Sequence, residues 1–269
     1  MSVSGISSGL FTAASAGVLG ALLLAPFEEL RRFFFVFNSS LALVFLLLGL
    51  PFRPLFSREE PVDTIAWWAA ISTIVAMGLI VLYIVSLYLP GGYKAWPILG
   101  LATAASFMAT TLDGWAAGGE GGAAWIFGAN SVAAALLLGT VIVTTTLGHW
   151  YLVRWRLPVI HLIRFSLVLA GAIALRAILL VAGLLVYGAG KPGGIASLLH
   201  EVAVDRGFFF WQRIAVGIVG PAVFAWMVYA TARIRSTQSA TGILYLTVIF
   251  VLIGEFLARF LMVTGAGPM

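Results

Sequence analysis

The chain has 269 residues, of which 62% are hydrophobic and only 9% are charged, with a formal net charge of +5. About a quarter of the residues in a typical soluble domain are charged, so this composition excludes a water-exposed globular surface. The positive charge would suggest nucleic acid as a partner of a soluble protein, but here the arginines stand at the ends of apolar runs. Arginine in that position sets membrane topology, so we expect an integral membrane protein that contacts lipid and no nucleic acid.

Eight apolar runs are long enough to cross the hydrocarbon core, since a helix needs about 20 apolar residues to do so. In chain order they cover approximately residues 7–26, 33–52, 64–89, 95–112, 122–149, 158–188, 208–232 and 239–264. Glycine, proline and charged residues fill the gaps. The sequence therefore predicts an all-α integral membrane protein in which residues 1–269 form a single transmembrane domain, a bundle of about eight helices. An early Arg–Phe pair in the second and sixth spans suggests two four-helix halves.

An even number of spans places both termini on one side of the membrane. The connections opposite the termini contain seven basic residues, and those on the terminal side contain four. Cytoplasmic loops carry an excess of lysine and arginine, so the side with seven is expected to be cytoplasmic. We therefore predict a multi-pass protein of a bacterial-type inner (cytoplasmic) membrane with both termini on the outer side.

The sequence contains no cysteine and three histidines. A chain without cysteine cannot hold a cysteine-ligated iron–sulfur cluster, so such a cluster would have to belong to a partner. Three histidines without clustered carboxylates do not favour a metal site. His149 and His161 flank one short turn, and a haem between neighbouring helices needs more room than close packing leaves. We therefore expect no metal, haem or iron–sulfur cluster in this chain.

Four charged residues stand out within the predicted spans, because a charge near the bilayer centre costs roughly 2.5–3.5 kcal/mol. They are Arg176, Arg213, Glu255 and Arg259. Glu255 and Arg259 are four residues apart, so one helical turn brings them together; alternatively, two arginines share Glu255. Such charges either tie helices together or form a polar pocket for a ligand with carbonyl or phenolic oxygens, such as a quinone.

The last span contains the run "TQSATGILYLTVIFVLIGEFLARFLM", with Gly254, Glu255, Arg259 and Phe260 near its end. This run resembles the closing helix of membrane subunits in the DMSO reductase anchor and polysulfide reductase (NrfD-like) family. Those helices often end in glycine–glutamate, a short apolar step, arginine and an aromatic residue. Eight spans and the absence of cysteine agree with the family. The family's usual Gly-His-Leu-Gly-Arg turn is missing, and the nearest string is "LGHWYLVR" at 147–154.

Members of that family lack haem, bind quinol or quinone and dock an iron–sulfur protein. The resemblance implies a membrane anchor and quinone-binding subunit of a respiratory oxidoreductase complex, which exchanges electrons with an iron–sulfur or other redox subunit and catalyses nothing alone. Its ligand would be menaquinone or ubiquinone. The candidate residues are Glu255 and Asp113 for proton transfer, and Arg176, Arg213, Arg259 and His149 for quinone binding.

Two other functions fit the same sequence. A small permease or channel would line a pathway with the intramembrane polar residues, and transporters often bind substrate at broken helices near the midplane. Pro221, well inside the seventh span, is a candidate for such a break. A non-catalytic membrane scaffold would instead use every intramembrane charge to hold helices together.

Overall fold

The structure is a computed structural model that describes residues 3–53, 64–90, 95–118, 124–154, 157–190, 193–205, 207–263 and 267. Within these ranges the regular elements are all helices, and no strand is present. We number the helices in chain order as α1 Val3–Leu22, α2 Phe27–Gly49, α3 Thr64–Ser86, α4 Trp96–Gly118, α5 Ala124–Val153, α6 Ile160–Ala189, α7 Gly194–His200, α8 Gly207–Arg233 and α9 Thr237–Val263. A π-helical turn, Ala215–Val219, lies within α8.

Seven of these helices are long and apolar enough to cross a membrane, namely all except α4 and the short α7. The 23-residue α4 is less apolar and packs between α3 and α5 like the other long helices. Its buried Thr103, Ser106 and Thr110 each donate a hydrogen bond to a backbone carbonyl one turn earlier, so these hydroxyls need no partner outside the helix. The predicted all-α membrane bundle is confirmed, with eight long helices in the described part of the chain.

The second helix differs from its prediction, because α2 begins at Phe27 rather than near residue 33. The prediction had assigned the charged run 28–32 to a turn. In the structure Glu28 and Glu29 occupy the first turn of α2, where carboxylates interact favourably with the positive end of the helix dipole. Arg31 has a positive φ of 63°, so this first turn is offset from the rest of the helix.

The long helices form two groups of four. In the first group α1 packs on α2 and α4, and α3 packs on α4; in the second, α5 packs on α6 and α9, and α8 packs on α6 and α9. The two groups meet mainly where α1 and α4 pack on α5. The packing of α1 and α4 on α5 is as extensive as the packing within either group, so the predicted two four-helix halves stay a prediction.

The central helices are α5 and α1, which are buried over 83% and 78% of their apolar stretches. They cross at Gly17 and Gly139. A Cβ atom on Gly17 would lie 2.7 Å from the backbone nitrogen of Gly139, and a Cβ on Gly139 would overlap the backbone of Gly17. Small residues allow transmembrane backbones to approach closely, where van der Waals packing drives association. The two groups are therefore joined at direct backbone contact.

The bundle has two distinct ends. At the terminal end α1 begins and α9 ends, whereas at the turn end short connections join α1 to α2, α5 to α6 and α8 to α9. The short α7 lies at the terminal end, where Leu198 is buried among residues of α6, α8 and α9. The predicted orientation, with the terminal end outside, stays a prediction.

Candidate functional site

Four of the predicted site residues lie together in the terminal half of the bundle. Arg176, Arg213, Glu255 and Arg259, which we call the charge cluster, are each at most 5% exposed. Arg176 donates from Nε to Oε1 of Glu255 at 2.8 Å and from Nη2 to Oε2 at 3.1 Å. Arg213 donates from Nη2 to the same Oε1 at 3.2 Å. A single buried carboxylate therefore links α6, α8 and α9.

Glu255 is thus shared between two arginines, which is one of the two arrangements that the sequence left open. Arg259, one turn further along α9, interacts with Glu255 electrostatically and makes no hydrogen bond to any described residue. Its guanidinium lies against α1, where a Cβ on Gly9 would be 2.6 Å from Nη1 of Arg259. The Glu255–Arg259 pair, which the sequence predicted within one turn of α9, is therefore not the main contact of the Glu255 carboxylate.

Two glycines allow Arg213 to reach Glu255. A Cβ on Gly217 of α8 would lie 2.8 Å from Cα of Gly254, the residue that precedes Glu255. The backbones of α8 and α9 can approach this closely only because neither position has a side chain. The π-helical turn Ala215–Val219 begins two residues after Arg213, and such turns occur often at functional sites. The close approach and the turn together position the Arg213 guanidinium.

Asn130 of α5 adds a fourth helix to this site, although it was not among the predicted site residues. Its side-chain oxygen accepts a hydrogen bond from Nη1 of Arg176. A cavity beside Asn130, Arg176, Glu255 and Arg259 has a volume of only about 10 Å³, roughly the space of one water molecule. A quinone ring does not fit this cavity as it stands, so quinone binding by the cluster arginines stays a prediction.

Asp113 forms a separate ion pair near the terminal end of α4. Arg53 donates from Nη1 and Nη2 to its two carboxylate oxygens at 3.0 and 3.1 Å, and from Nη2 to the Thr12 hydroxyl at 3.0 Å. This two-point geometry is the strong form of an arginine–carboxylate contact. Asp113 also interacts electrostatically with Arg259, which places it at the edge of the charge cluster. Its proposed role in proton transfer stays a prediction.

Arg53 is the main residue that the sequence interpretation missed. The predicted second span ends at residue 52, which leaves Arg53 in the following connection, yet it is 2% exposed and directly follows a short helical turn, Leu50–Phe52. The available signal was Asp113 itself, because a carboxylate at the end of an apolar span requires a cationic partner. The sequence offers several such cations, so the choice of Arg53 depends on tertiary structure.

Replacing Asp113 with leucine should lower the free energy of unfolding by about 3 kcal/mol, because Arg53 would keep a buried charge without its carboxylate. A double variant, Arg53→Met with Asp113→Leu, should recover most of that loss, since apolar residues can replace a buried pair without leaving an ion unpaired. Thermal unfolding of the detergent-solubilised proteins measures both effects. Equal unfolding temperatures for the single and double variants would contradict this role of the pair.

His149 lies at the turn end, on the opposite end of the bundle from the charge cluster. Its Nδ1 is 2.9 Å from the Tyr245 hydroxyl of α9. Both side chains line a groove of about 580 Å³ between α2, α5 and α9, which we call the aromatic groove. The other lining residues are Phe33, Phe34, Phe37, Thr145, Thr146, Trp150 and Val153.

The aromatic groove combines apolar walls with a few polar groups. The indole N–H of Trp150 is buried and has no acceptor among the described residues. The Thr146 hydroxyl, in contrast, is occupied, because it contacts the side-chain oxygen of Asn38 at 3.0 Å. A largely apolar cleft with a His–Tyr pair is typical of a site for a small organic ligand.

Two polar cavities adjoin the aromatic groove at the turn end. Val153 lines both the groove and a cavity of about 630 Å³ that also contains Glu28 and Glu29. The two glutamates in turn line a cavity of about 460 Å³, where Oε2 of Glu29 is in hydrogen-bond contact with Nε2 of His161. The half-exposed Glu29 and its partner His161 therefore lie at the same end of the bundle as the groove, close to the bundle surface.

The two histidines considered for haem are thus engaged with different partners, His149 with Tyr245 and His161 with Glu29. Among the described residues no group of three histidine, aspartate or glutamate side chains is arranged to hold a metal ion. Comparison with protein-family models and with curated proteins finds no match to this chain. Its function is therefore inferred from its own residues and their geometry.

Proposed function

We propose that this chain is the membrane anchor and quinone-binding subunit of a respiratory oxidoreductase complex, and that the quinone head group binds in the aromatic groove. The observation that carries this proposal is the His149–Tyr245 pair in a largely apolar groove of about 580 Å³. Small-molecule sites commonly have volumes of about 300–1,000 Å³, apolar walls and a few polar groups that fix the ligand's orientation. The groove has each of these properties.

A quinone matches the groove in both of its chemical parts. The ring and isoprenoid tail would contact the phenylalanines of α2, and the ring oxygens would use the polar groups of His149 and Tyr245. A bound quinol supplies two electrons and two protons when it is oxidised. In this proposal His149 accepts a proton from the quinol at the turn end of the groove.

The electrons require a partner, because the chain has no cysteine to hold a cluster of its own. An iron–sulfur subunit is the partner that we propose. Its cluster would have to approach the quinone site, so we expect the partner to dock at the turn end. Arg31, Arg154 and Arg233 lie at that end and would offer it a basic surface.

A non-catalytic scaffold is the second candidate. The observation that favours it is the closed charge cluster, which joins α5, α6, α8 and α9 around a cavity of only about 10 Å³. In that case the intramembrane charges hold helices together and do no chemistry.

Gentle purification of the tagged protein from its native membrane separates the two candidates. Mass spectrometry identifies co-purifying subunits, and extraction of the bound lipid measures quinone. An iron–sulfur partner with about one quinone per chain is the result expected of the anchor. A protein recovered with neither would overturn the proposal and leave the scaffold.

Replacing Tyr245 with phenylalanine should weaken the binding of a short-tailed quinone roughly fivefold, because one hydrogen bond contributes about 1 kcal/mol. Stability should change little, since the hydroxyl is at an exposed position. The matched control is Tyr88→Phe, which removes the hydroxyl of another exposed tyrosine at the turn end that does not line the groove. Equal quinone affinities for the two variants would exclude Tyr245 from the site.

A further inference from the structure

We infer that the charge cluster binds a single monoatomic anion of halide size, held beside Arg259 between α5, α6 and α9. This inference is independent of the proposed quinone function. It depends on three observations, which are the excess of positive charge, an arginine whose Nε has no acceptor among the described residues, and a small cavity next to it.

The charge excess can be counted from the ion pairs. The Arg53–Asp113 pair is balanced, whereas Glu255 faces Arg213 and Arg259 as well as Arg176. With Arg176 set aside, three buried arginines stand against two carboxylates, which leaves 3 − 2 = 1 positive charge in excess among the described residues. An uncompensated ion in a low-dielectric interior is strongly unfavourable, so a bound anion would stabilise this arrangement.

Arg259 is the arginine at which this excess of positive charge is least balanced. It is 5% exposed, and its buried Nε has no acceptor among the described residues. Arg213 also keeps Nε and Nη1 without acceptors in the described part of the chain, where Glu255 alone does not satisfy every donor of the cluster. Buried donors without acceptors are rare in folded proteins and often mark an unseen ion or water.

The cavity beside Arg259 sets the size of the ligand. Its volume is about 10 Å³, and Asn130, Ser131, Arg176 and Met262 contribute to its walls. This space admits one small particle, so a monoatomic halide fits it more readily than a polyatomic anion such as sulfate or gluconate. Glu255 also lines the cavity, but both of its oxygens already accept hydrogen bonds from Arg176 and Arg213. Water alone would fill the space without balancing the charge.

The test compares thermal unfolding in sodium chloride, sodium bromide and sodium gluconate at constant ionic strength. Tm of the wild-type protein should rise by roughly 5–10 °C at a hundredfold excess of halide over its Kd, relative to gluconate. Arg259→Gln should abolish this difference between salts. Arg233→Gln, which changes an exposed arginine at the turn end, should leave it intact.

A second measurement needs no variant and covers the case in which Arg259→Gln does not fold. Equilibrium binding of radioactive chloride to the purified wild-type protein should saturate at about one ion per chain and be displaced by bromide but not by gluconate. A Tm that is independent of halide, an equal halide effect in Arg259→Gln, or the absence of saturable chloride binding would each overturn the inference.

Discussion

Replacing Glu255 with glutamine should lower the free energy of unfolding by about 3–5 kcal/mol, which is the usual cost of removing one partner from a buried ion pair. Arg176 and Arg213 donate to this carboxylate at 2.8–3.2 Å, and all three residues are at most 2% exposed. The amide keeps one acceptor oxygen but removes the negative charge from a cluster that already has excess positive charge. The contacts of α6 and α8 with α9 should therefore weaken.

Thermal unfolding monitored by size-exclusion chromatography measures this effect. Glu28→Gln is the matched control, because Glu28 is an exposed glutamate at the turn end, and its unfolding temperature should stay near that of the wild type. A Glu255→Gln protein that is fully stable but has lost quinone-linked turnover would contradict the structural role and assign Glu255 to proton transfer instead.

Replacing Gly139 with alanine should destabilise the protein by about 3 kcal/mol or more, at or above the upper end of the usual cost of overpacking. The added Cβ would overlap the backbone of Gly17 rather than a movable side chain. To remove this overlap, α1 and α5 would have to separate. These two helices are the most buried of the seven apolar helices. The variant should therefore lose the contact between the two groups of four helices.

The matched control for Gly139→Ala is Gly171→Ala in α6, where nothing lies within 4 Å of an added Cβ. Because alanine has the higher helix propensity, this control should be neutral or more stable by up to about 1 kcal/mol. Yield of monodisperse protein and unfolding temperature distinguish the two variants. Similar behaviour of both glycine positions would show that α1 and α5 do not meet at backbone contact.

The class of fold and the positions of most helices were predictable from the sequence. Crossing a membrane requires about 20 consecutive apolar residues, a local property that can be read directly along the chain. Thus the predicted span 64–89 corresponds to α3, Thr64–Ser86, and the predicted span 239–264 corresponds to α9, Thr237–Val263. The start of α2 was missed because hydropathy excludes Glu28 and Glu29, whereas helix electrostatics favours them in a first turn.

The aromatic groove was not predictable from the sequence beyond the choice of His149 as a candidate. His149 and Tyr245 are separated by 96 residues, and nothing local to either residue indicates the other. Among the described residues the indole N–H of Trp150 has no hydrogen-bond acceptor. This property is visible only in the folded protein, because it depends on which acceptors lie within reach. An interfacial tryptophan and a site tryptophan have the same local pattern.

The need for partners inside the membrane follows from residue type alone, since a charged side chain is costly in hydrocarbon wherever it stands. The identity of each partner does not follow from residue type. Arg176 and Arg213 lie 79 and 42 residues from Glu255, and Arg53 lies 60 residues from Asp113. Several pairings of these five charged residues and Arg259 satisfy the same electrostatic requirement. Helix packing selects one of them, because the glycine contact of α8 with α9 brings Arg213 to Glu255 and leaves Arg259 beside Gly9.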